Sequence, residues 1–343
     1  MEERRRRPTL RDIAEETGLS SATVSYALRG LQVPIETQER VREAARRLGY
    51  HADPIARALV SGRTGYVGVL CRSLEDIWQQ GVAAALGRGL LQAGRNGLIV
   101  DASNDPEREA SLAQRLVDQR VDALIALPVD PRGGHWARIA QRTVLVSIGD
   151  GLPGAATAAE VVFDNAGGVT DALTRLAEAG HTRVTVLTSV GVSTPDRPAE
   201  SVVHRVAAEL GVTATLRSAP HDLDGASEVA REVLTGADPP TAFLSLADSI
   251  AYGVYAAVAE LGLRVPDDVS VLGFDDHPVS RLLTPPLSSY RWPVDELVTE
   301  VVQRTVRAVD ESKRSKRKVL TATPQMRGSV APPPRRARSR TAG

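Results

Sequence analysis

The chain has little cysteine: Cys71 is the single one among 343 residues. No internal disulfide can form, which points to a reducing compartment. No secretion signal is visible, since the basic run Arg4–Arg7 is followed by no apolar stretch, and none is expected. No run of apolar residues is long enough to span a bilayer, so no membrane partner is expected and the expected location is the cytoplasm. Catalytic patterns are missing as well. His135, His181, His204, His221, Asp275 and Asp276 are the candidate residues, yet no Ser/His/Asp arrangement or metal-ligand spacing unites them. No glycine-rich phosphate loop occurs. The sequence therefore gives no ground for an enzyme, a metal or a cofactor.

Net charge is also lacking, with 42 Lys+Arg against 42 Asp+Glu, but the distribution is uneven. Residues 1–63 carry 12 basic against 9 acidic side chains, residues 64–312 carry 20 against 33, and residues 313–343 carry 10 against none. Duplex DNA would repel such a body and attract its ends. The runs Lys313–Lys318 and Pro332–Arg336 read best as solvated, disordered chain.

What is present is most informative at Thr9–Leu28, TLRDIAEETGLSSATVSYAL. Thr9 can cap a helix with Asp12 as its acidic first-turn partner, and Ile13 and Ala14 give that helix an apolar side. Gly18 breaks it and Leu19 plugs the corner. Ser20 or Ser21 caps a second helix whose Val24 and Leu28 lie four apart, facing inward. Its other face shows Ser21, Ala22, Thr23, Ser25, Tyr26 and Arg29, with no carboxylate. Hydroxyls can bond phosphates, Arg29 meets negative charge, and Tyr26 can reach a base edge, so the face suits a DNA major groove. Spacing alone also permits an ordinary helical hairpin.

Gly30 ends the second helix, and Pro34 opens a third over about Ile35–Leu48. Its stripe is Ile35, Val41, Ala44, Ala45 and Leu48, and Gly49 closes it. Asp53, Pro54 and Gly62 then bracket a helix of about two turns, too short to be stable alone in water. Asp53–Gly62 reads as a linker that folds when a partner helix or DNA supports it.

From Tyr66 short apolar runs alternate with helical patterns. The runs are Tyr66–Cys71, Leu98–Asp101, Ala123–Leu127, Val144–Ile148 and Val161–Phe163, separated by helices over Ile77–Ala93, Glu107–Gln119 and Trp136–Gln141. The series restarts with Gly167–Ala179, Val184–Thr188, Arg197–Leu210, Ala226–Leu234, Ala242–Leu246, Ile250–Leu261 and Val269–Gly273. Continuous apolar strands alternating with helices imply parallel sheets covered on both faces, here two doubly wound lobes with a cleft between them. Val294–Val309 and Val319–Val330 follow the second series and are expected to cross back between lobes.

With these residues in view, the chain resembles LacI-type transcriptional repressors. The resemblance runs from Thr9 to about Val330. It includes TLRDIAEETGLSSATVSYAL, ERVREAARRLGY, IARAL, SGRTGYVGVL, the pair Asp164–Asn165, AGHTRV and VPDDVSVLGFDD, in family order. It implies an α/β protein with a three-helix helix-turn-helix headpiece, a hinge helix, and a two-lobed core resembling periplasmic sugar-binding proteins. It further implies a homodimer on a near-palindromic operator, with a sugar-related small effector in the cleft. The expected organisation is a basic arm at 1–8, the headpiece at 9–50, the hinge at 51–63, the core at 64–330 and a disordered tail at 331–343. Lobe one would take about 64–163 and 293–318, and lobe two about 164–290 and 319–330.

By the same resemblance, Ser21, Ala22 and Tyr26 match base-reading positions, and Ser20, Thr23, Ser25 and Arg29 match positions facing phosphate. Thr9 belongs to the same DNA-facing set. Leu59 matches a hinge leucine that wedges into the minor groove beside Ala56, unstacking one base step at a cost of roughly a few kcal/mol. Three departures stand out. Tyr26 replaces the usual Arg, so a bidentate arginine–guanine contact worth about 1–3 kcal/mol is absent. Pro34 replaces the usual serine cap. The proline before the hinge is Ala52, while Pro54 enters the hinge helix.

In the cleft, Arg197 matches the family's effector-gripping arginine and Asp275 its hydroxyl-binding aspartate; Asp275 could equally be a turn residue bonding backbone amides. Other family positions have changed. Gly149–Asp150 replaces an Asp–Arg pair, Ala247 precedes Asp248 in place of an Asn, and Asp76–Gln79 replaces Asn-Pro-Phe-Phe. Trp78 could be a stacking wall or core. Trp78, Arg197, Asp248 and Asp275 are the expected effector residues. With fewer hydroxyl partners than a usual sugar site, the cleft is expected to take something other than a standard monosaccharide, or to hold it differently. Two other readings use the same core: an enzyme, or a sugar-binding module for transport, which leaves the headpiece unexplained.

Overall fold

The computed structural model describes residues 8–50, 62–189 and 199–334. The expected hinge helix with Ala56 and Leu59, and Arg197, lie outside the described residues. The chain divides into two units, 1–64 and 65–343.

The first unit is three helices, α1 Leu10–Thr17, α2 Ser21–Leu28 and α3 Ile35–Leu48. Thr9 forms a reciprocal capping box: its hydroxyl accepts from the Asp12 amide, and its own amide donates to the Asp12 carboxylate at 2.6 Å. Ser20 caps α2 by accepting from the Thr23 amide at 3.0 Å. Gly18 and Gly49 terminate α1 and α3 with φ of 69° and 65°, left-handed values that favour glycine. The three helices close over Ile13, Ala14, Val24, Ala27, Val41, Ala44 and Ala45. Two expectations need correction. Ala27 is the buried partner of Val24 on α2, while Leu28 is half-buried at the rim. Ile35 is 73% exposed. As the first residue of α3, it points back beyond the helix start, where no partner helix covers it.

The second unit contains two six-stranded sheets. Sheet one is built from β1 Tyr66–Cys71, β2 Asn96–Asp101, β3 Ala123–Ala126, β4 Val144–Gly149, β5 Ala159–Phe163 and β11 Lys318–Leu320, in the order β11-β5-β4-β3-β1-β2. Sheet two contains β6 Arg183–Ser189, β7 Thr213–Ala219, β8 Ala242–Ser245, β9 Ser270–Phe274, β10 Ser288–Arg291 and β12 Thr323–Gln325, in the order β12-β10-β9-β8-β6-β7. Every recorded pairing is parallel except β10 with β12. The helices are α4 Ile77–Gln92, α5 Pro106–Asp118, α6 His135–Ala140, α7 Asn165–Glu178, α8 Ala199–Leu210, α9 Leu223–Thr235, α10 Asp248–Glu260 and α11 Val294–Glu311.

The chain passes between lobes after β5, after β10 and after β11. The last passage follows Leu320, so Val319 and Leu320 pair in the first sheet rather than entering lobe two. The run Lys313–Lys318 also differs from its expected disorder. It is a defined connection from α11 to β11, anchored by the Ser315 amide on the Ala158 carbonyl at 2.8 Å. Strands β7 and β10 have no continuous apolar run. β7 is an edge strand whose residues alternate between exposed and half-buried, and β10 buries serines inside a polar network.

Candidate functional site

On α2 the fold splits the side chains by face. Val24 and Ala27 are buried, whereas Ser20, Ser21, Ala22, Tyr26 and Arg29 are exposed. Thr23 and Ser25 are half-buried; the Thr23 hydroxyl meets that of Ser20 at 2.8 Å. The Arg29 guanidinium lies 5.1 Å above the Tyr26 ring centroid, and its Nε donates to the Ser25 carbonyl at 3.2 Å. A cation stacked on an aromatic face is held in place yet keeps its outer N–H groups for phosphate. Thr9 is also exposed, with its hydroxyl engaged by Asp12 at 2.8 Å.

In the core, the carboxyl ends of the two sheets frame a cavity of 460 Å³. Parallel doubly wound sheets place ligands there. Its aromatic wall runs from Trp78 to Phe163, edge-on at 5.5 Å, then to Trp292 at 4.6 Å and on to Phe274 at 6.2 Å. The chain has only three Phe and three Trp, and two of each line this cleft. An aromatic-poor sequence has thus concentrated its stacking surfaces in one place. Trp78 packs against the cores of both lobes and also lines the cavity.

The polar lining includes Arg72, Asp76, Asp150, Asn165, His221 and Asp275. Asp76 caps α4 through the Trp78 amide at 2.9 Å and lies 3.8 Å from the Arg72 guanidinium. His221 contacts the Ser249 hydroxyl through Nδ1 at 2.8 Å, while its Nε2 and the Trp78 Nε1 are buried without a protein hydrogen-bond partner. A bound molecule that met those atoms would relieve their desolvation. Burial holds the His221 imidazole below its ordinary pKa, against an opposing pull from Asp76.

Asp275 sits on a strained turn: its φ is 103° and that of Asp276 is 46°. Strained non-glycine backbone persists where its surroundings over-determine it. Here the Asp275 amide donates to the Tyr290 carbonyl at 2.7 Å, and the Asp276 amide to the Ser289 hydroxyl at 3.0 Å. The turn therefore presents the Asp275 carboxyl to the cleft. Enclosure, together with the charges of Asp76 and Asp248, pushes its pKa well above the carboxylate range.

Asp248 needs correction as an effector residue. It is fully buried and lies outside the cavity lining. Its carboxylate accepts from Ser280 Oγ at 2.5 Å, Ser289 Oγ at 2.6 Å and the His277 amide at 2.8 Å. Gly273 leaves room for it, because a Cβ there would collide with that carboxylate. Asp248 thus braces the turn that carries Asp275. Burial pushes its pKa up to about 7, outweighing the hydrogen bonds that favour the ionised form. The folded value exceeds the ordinary 3.8, so protonation stabilises the fold. That contribution is complete below 3.8 and is lost as pH rises through about 7. Asp248→Asn is expected to flatten this fall in core stability, measured by denaturant unfolding across the pH range. Identical slopes in both proteins would refute it.

The residues weighed for catalysis do not converge. His181 bridges Thr241 Oγ1 and the Ala331 carbonyl at 2.9 and 3.0 Å, a structural pin. His135 stands 3.6 Å from the buried Glu109, and His204 is exposed on α8. Asp276 is enclosed by Arg291 and Arg327. Among the described residues no group of three metal-ligating side chains occurs, and no helix is long and apolar enough to cross a membrane. Arg72, Phe163 and Trp292 escaped the sequence reading, and His221 was weighed there only as a catalytic candidate. Aromatic residues at strand ends in so aromatic-poor a chain were the available signal.

Comparison with known proteins agrees with both halves of this picture. Residues 9–53 match the family described as bacterial regulatory proteins, lacI family, and residues 173–330 match a periplasmic binding protein-like domain. The HTH-type transcriptional regulator MalR of Streptomyces coelicolor is 31% identical over 298 residues, covering 83% of this chain and 85% of that protein. The ribose operon repressor of Haemophilus influenzae is 27% identical over 333 residues, covering 94% and 98%. A crystal structure of the lac repressor dimer bound to operator and the anti-inducer ONPF superposes with a TM-score of 0.85 at 22% identity, covering 95% of this chain and all of that one. The chain belongs to the LacI family of bacterial regulatory proteins: it is a DNA-binding transcriptional regulator and not an enzyme.

Proposed function

We propose that the protein is a cytoplasmic repressor that binds a near-palindromic operator as a homodimer and releases or tightens its hold when a sugar-related effector enters the cleft. Ser21, Ala22 and Tyr26 read bases; Thr9, Ser20, Thr23, Ser25 and Arg29 meet phosphates. The linker folds on DNA and inserts Leu59, beside Ala56, at a pyrimidine–purine step that kinks cheaply. The units follow the division 1–8, 9–50, 51–63 and a core from 64 that runs past Val330 to include Ala331, whose carbonyl accepts from Ser270 Oγ at 3.0 Å. The effector acts only through its differential affinity for two settings of the lobes, so its sign follows from which setting it favours.

The observation that carries this reading is the division of α2, apolar inward and hydroxylic, aromatic and basic outward. The full-length protein is expected to retard a duplex from upstream of its own gene, and deletion of residues 1–62 to abolish the shift. Retardation that survives the deletion would overturn the assignment. In the cleft, Trp78 stacks on the effector, and Asp275 and Arg197 bind its polar groups. The aromatic wall favours a ligand with broad apolar ring faces over a lone hexose. Calorimetry is expected to show no tight binding of simple hexoses; tight hexose binding that is lost in Asp275→Ala would refute that choice.

A further inference from the structure

We propose that the core carries a second DNA contact: the loop Ser312–Lys316 engages backbone phosphates of the duplex flanking the operator. The inference rests on the operator-binding reading above and adds a surface to it.

The topology supplies the placement. Strands β1 to β5 are mutually parallel, so their amino ends share one edge of lobe one. The chain arrives from the DNA-reading unit at Gly65, one residue before β1. Only fourteen residues separate Tyr50 from Gly65. Fully extended, they reach at most about 50 Å, so this edge is tethered to whatever the headpiece binds.

Contacts tie the entry point to the loop. The Gly65 amide donates to Asp122 at 2.9 Å, Asp122 pairs with Arg95 at 3.3 Å, and Arg95 pairs with Asp310 at 2.5 Å. Asp310 lies in the last turn of α11, which delivers the loop. There a recess of 350 Å³ is lined by Arg142, Thr143, Ser312, Lys313 and Arg314, among others. Cations, hydroxyls and concavity together suit a phosphate.

The charge balance points the same way. Two of the recess cations are paired with carboxylates outside it, Arg142 with Asp118 at 3.0 Å and Lys313 with Glu311 at 2.7 Å, which leaves Arg314 as the recess cation that a phosphate meets first. Arg314 and Lys316 are exposed and have no carboxylate partner among the described residues. Residues 64–312 carry 20 basic against 33 acidic side chains, so DNA repels the body as a whole. Screening confines the interaction to about 8–10 Å, so the charge of one edge counts there rather than that of the whole body. Uncompensated cations stand on the tethered edge.

The test uses an operator duplex selected from a random pool by the full-length protein. It is prepared as the minimal site and as the site extended by about ten base pairs on each side, roughly one helical turn. Wild-type protein is expected to bind the longer duplex more tightly. The double variant Arg314→Ala/Lys316→Ala is expected to lose that gain. It should also show a salt dependence of log K on the longer duplex shallower by about 2–4, the release expected for two phosphates per protomer in a dimer. Both residues are exposed, and an unchanged thermal transition confirms an intact fold. Unchanged length and salt dependence in the variant would overturn the inference while leaving operator binding in place. Cations that serve only the carboxyl end of α11 give that result. Failure of the wild-type protein to select any duplex would overturn the operator reading and this inference with it.

Discussion

Val24→Asp abolishes specific operator binding and leaves the core folded. Val24 is fully buried in α2, at the centre of a headpiece core made of one Ile, two Val and four Ala. A unit this small draws only about 3–5 kcal/mol from its core. An unpaired carboxylate placed there costs several kcal/mol, or else drives the helices apart so that water can reach it. The expected outcome is therefore an unfolded headpiece rather than a weakened one. Operator affinity falls about a thousandfold or more, to the level of non-specific binding, because the exposed face of α2 exists only while its inner face is packed. Two measurements check this: anisotropy titration with the selected operator, and calorimetry of the core transition. A variant that still binds operator within tenfold would show that the recognition face does not depend on this core.

Asp276→Ala destabilises the core by about 3 kcal/mol, the lower end of the cost of removing one partner from a buried ion pair. The Asp276 side chain is fully buried. It binds Arg291 Nε at 2.7 Å and Arg327 Nη2 at 2.5 Å, with Arg281 at 3.9 Å. Arg327 is 18% exposed and would be left with a poorly solvated charge, whereas Arg291, at 45%, can turn to water and moderates the loss. For a core of this size the thermal transition should fall by about 5–10 °C. Arg327 also donates to the Leu287 carbonyl at 2.6 Å, so Asp276 joins the returning chain after β12 to β10 and to the strained turn. Effector affinity should drop in the same variant, because the Asp275 backbone loses its brace. A transition within 1 °C of wild type, by the same scale well under 1 kcal/mol, would show that solvent replaces the network without loss.

The sequence carried the architecture because the architecture is local. Thr9 with Asp12, Gly18, Ser20 and Gly49 are start and stop signals that act within one helical turn, and each occupies its cap. Tyr66–Cys71, Ala123–Leu127 and Val144–Ile148 are continuous apolar runs of strands covered on both faces, whereas Leu98–Asp101 belongs to an edge strand that stays partly exposed. Strands β7 and β10 escaped for the converse reason. One is an edge strand that water reaches, and the other hides its polarity in partners distant along the chain.

The cleft was legible by position and not by content. Asp275 could be placed at a strand end, where such folds bind ligands, and Trp78 at the start of a helix. No spacing rule could tell that Asp248, 27 residues earlier, turns inward to brace Asp275 rather than outward to a ligand. Nor could any rule say that Phe163 and Trp292, far apart in the chain, meet with tilted rings at 4.6 Å. The sequence by itself determined the helices, the alternation of strand and helix, and the chemical face of α2, since all three follow from periodicities of two to four residues. Only the tertiary structure decided which polar groups meet, because contact between the two sheets' ends depends on where three chain crossings return, and that is a property of packing.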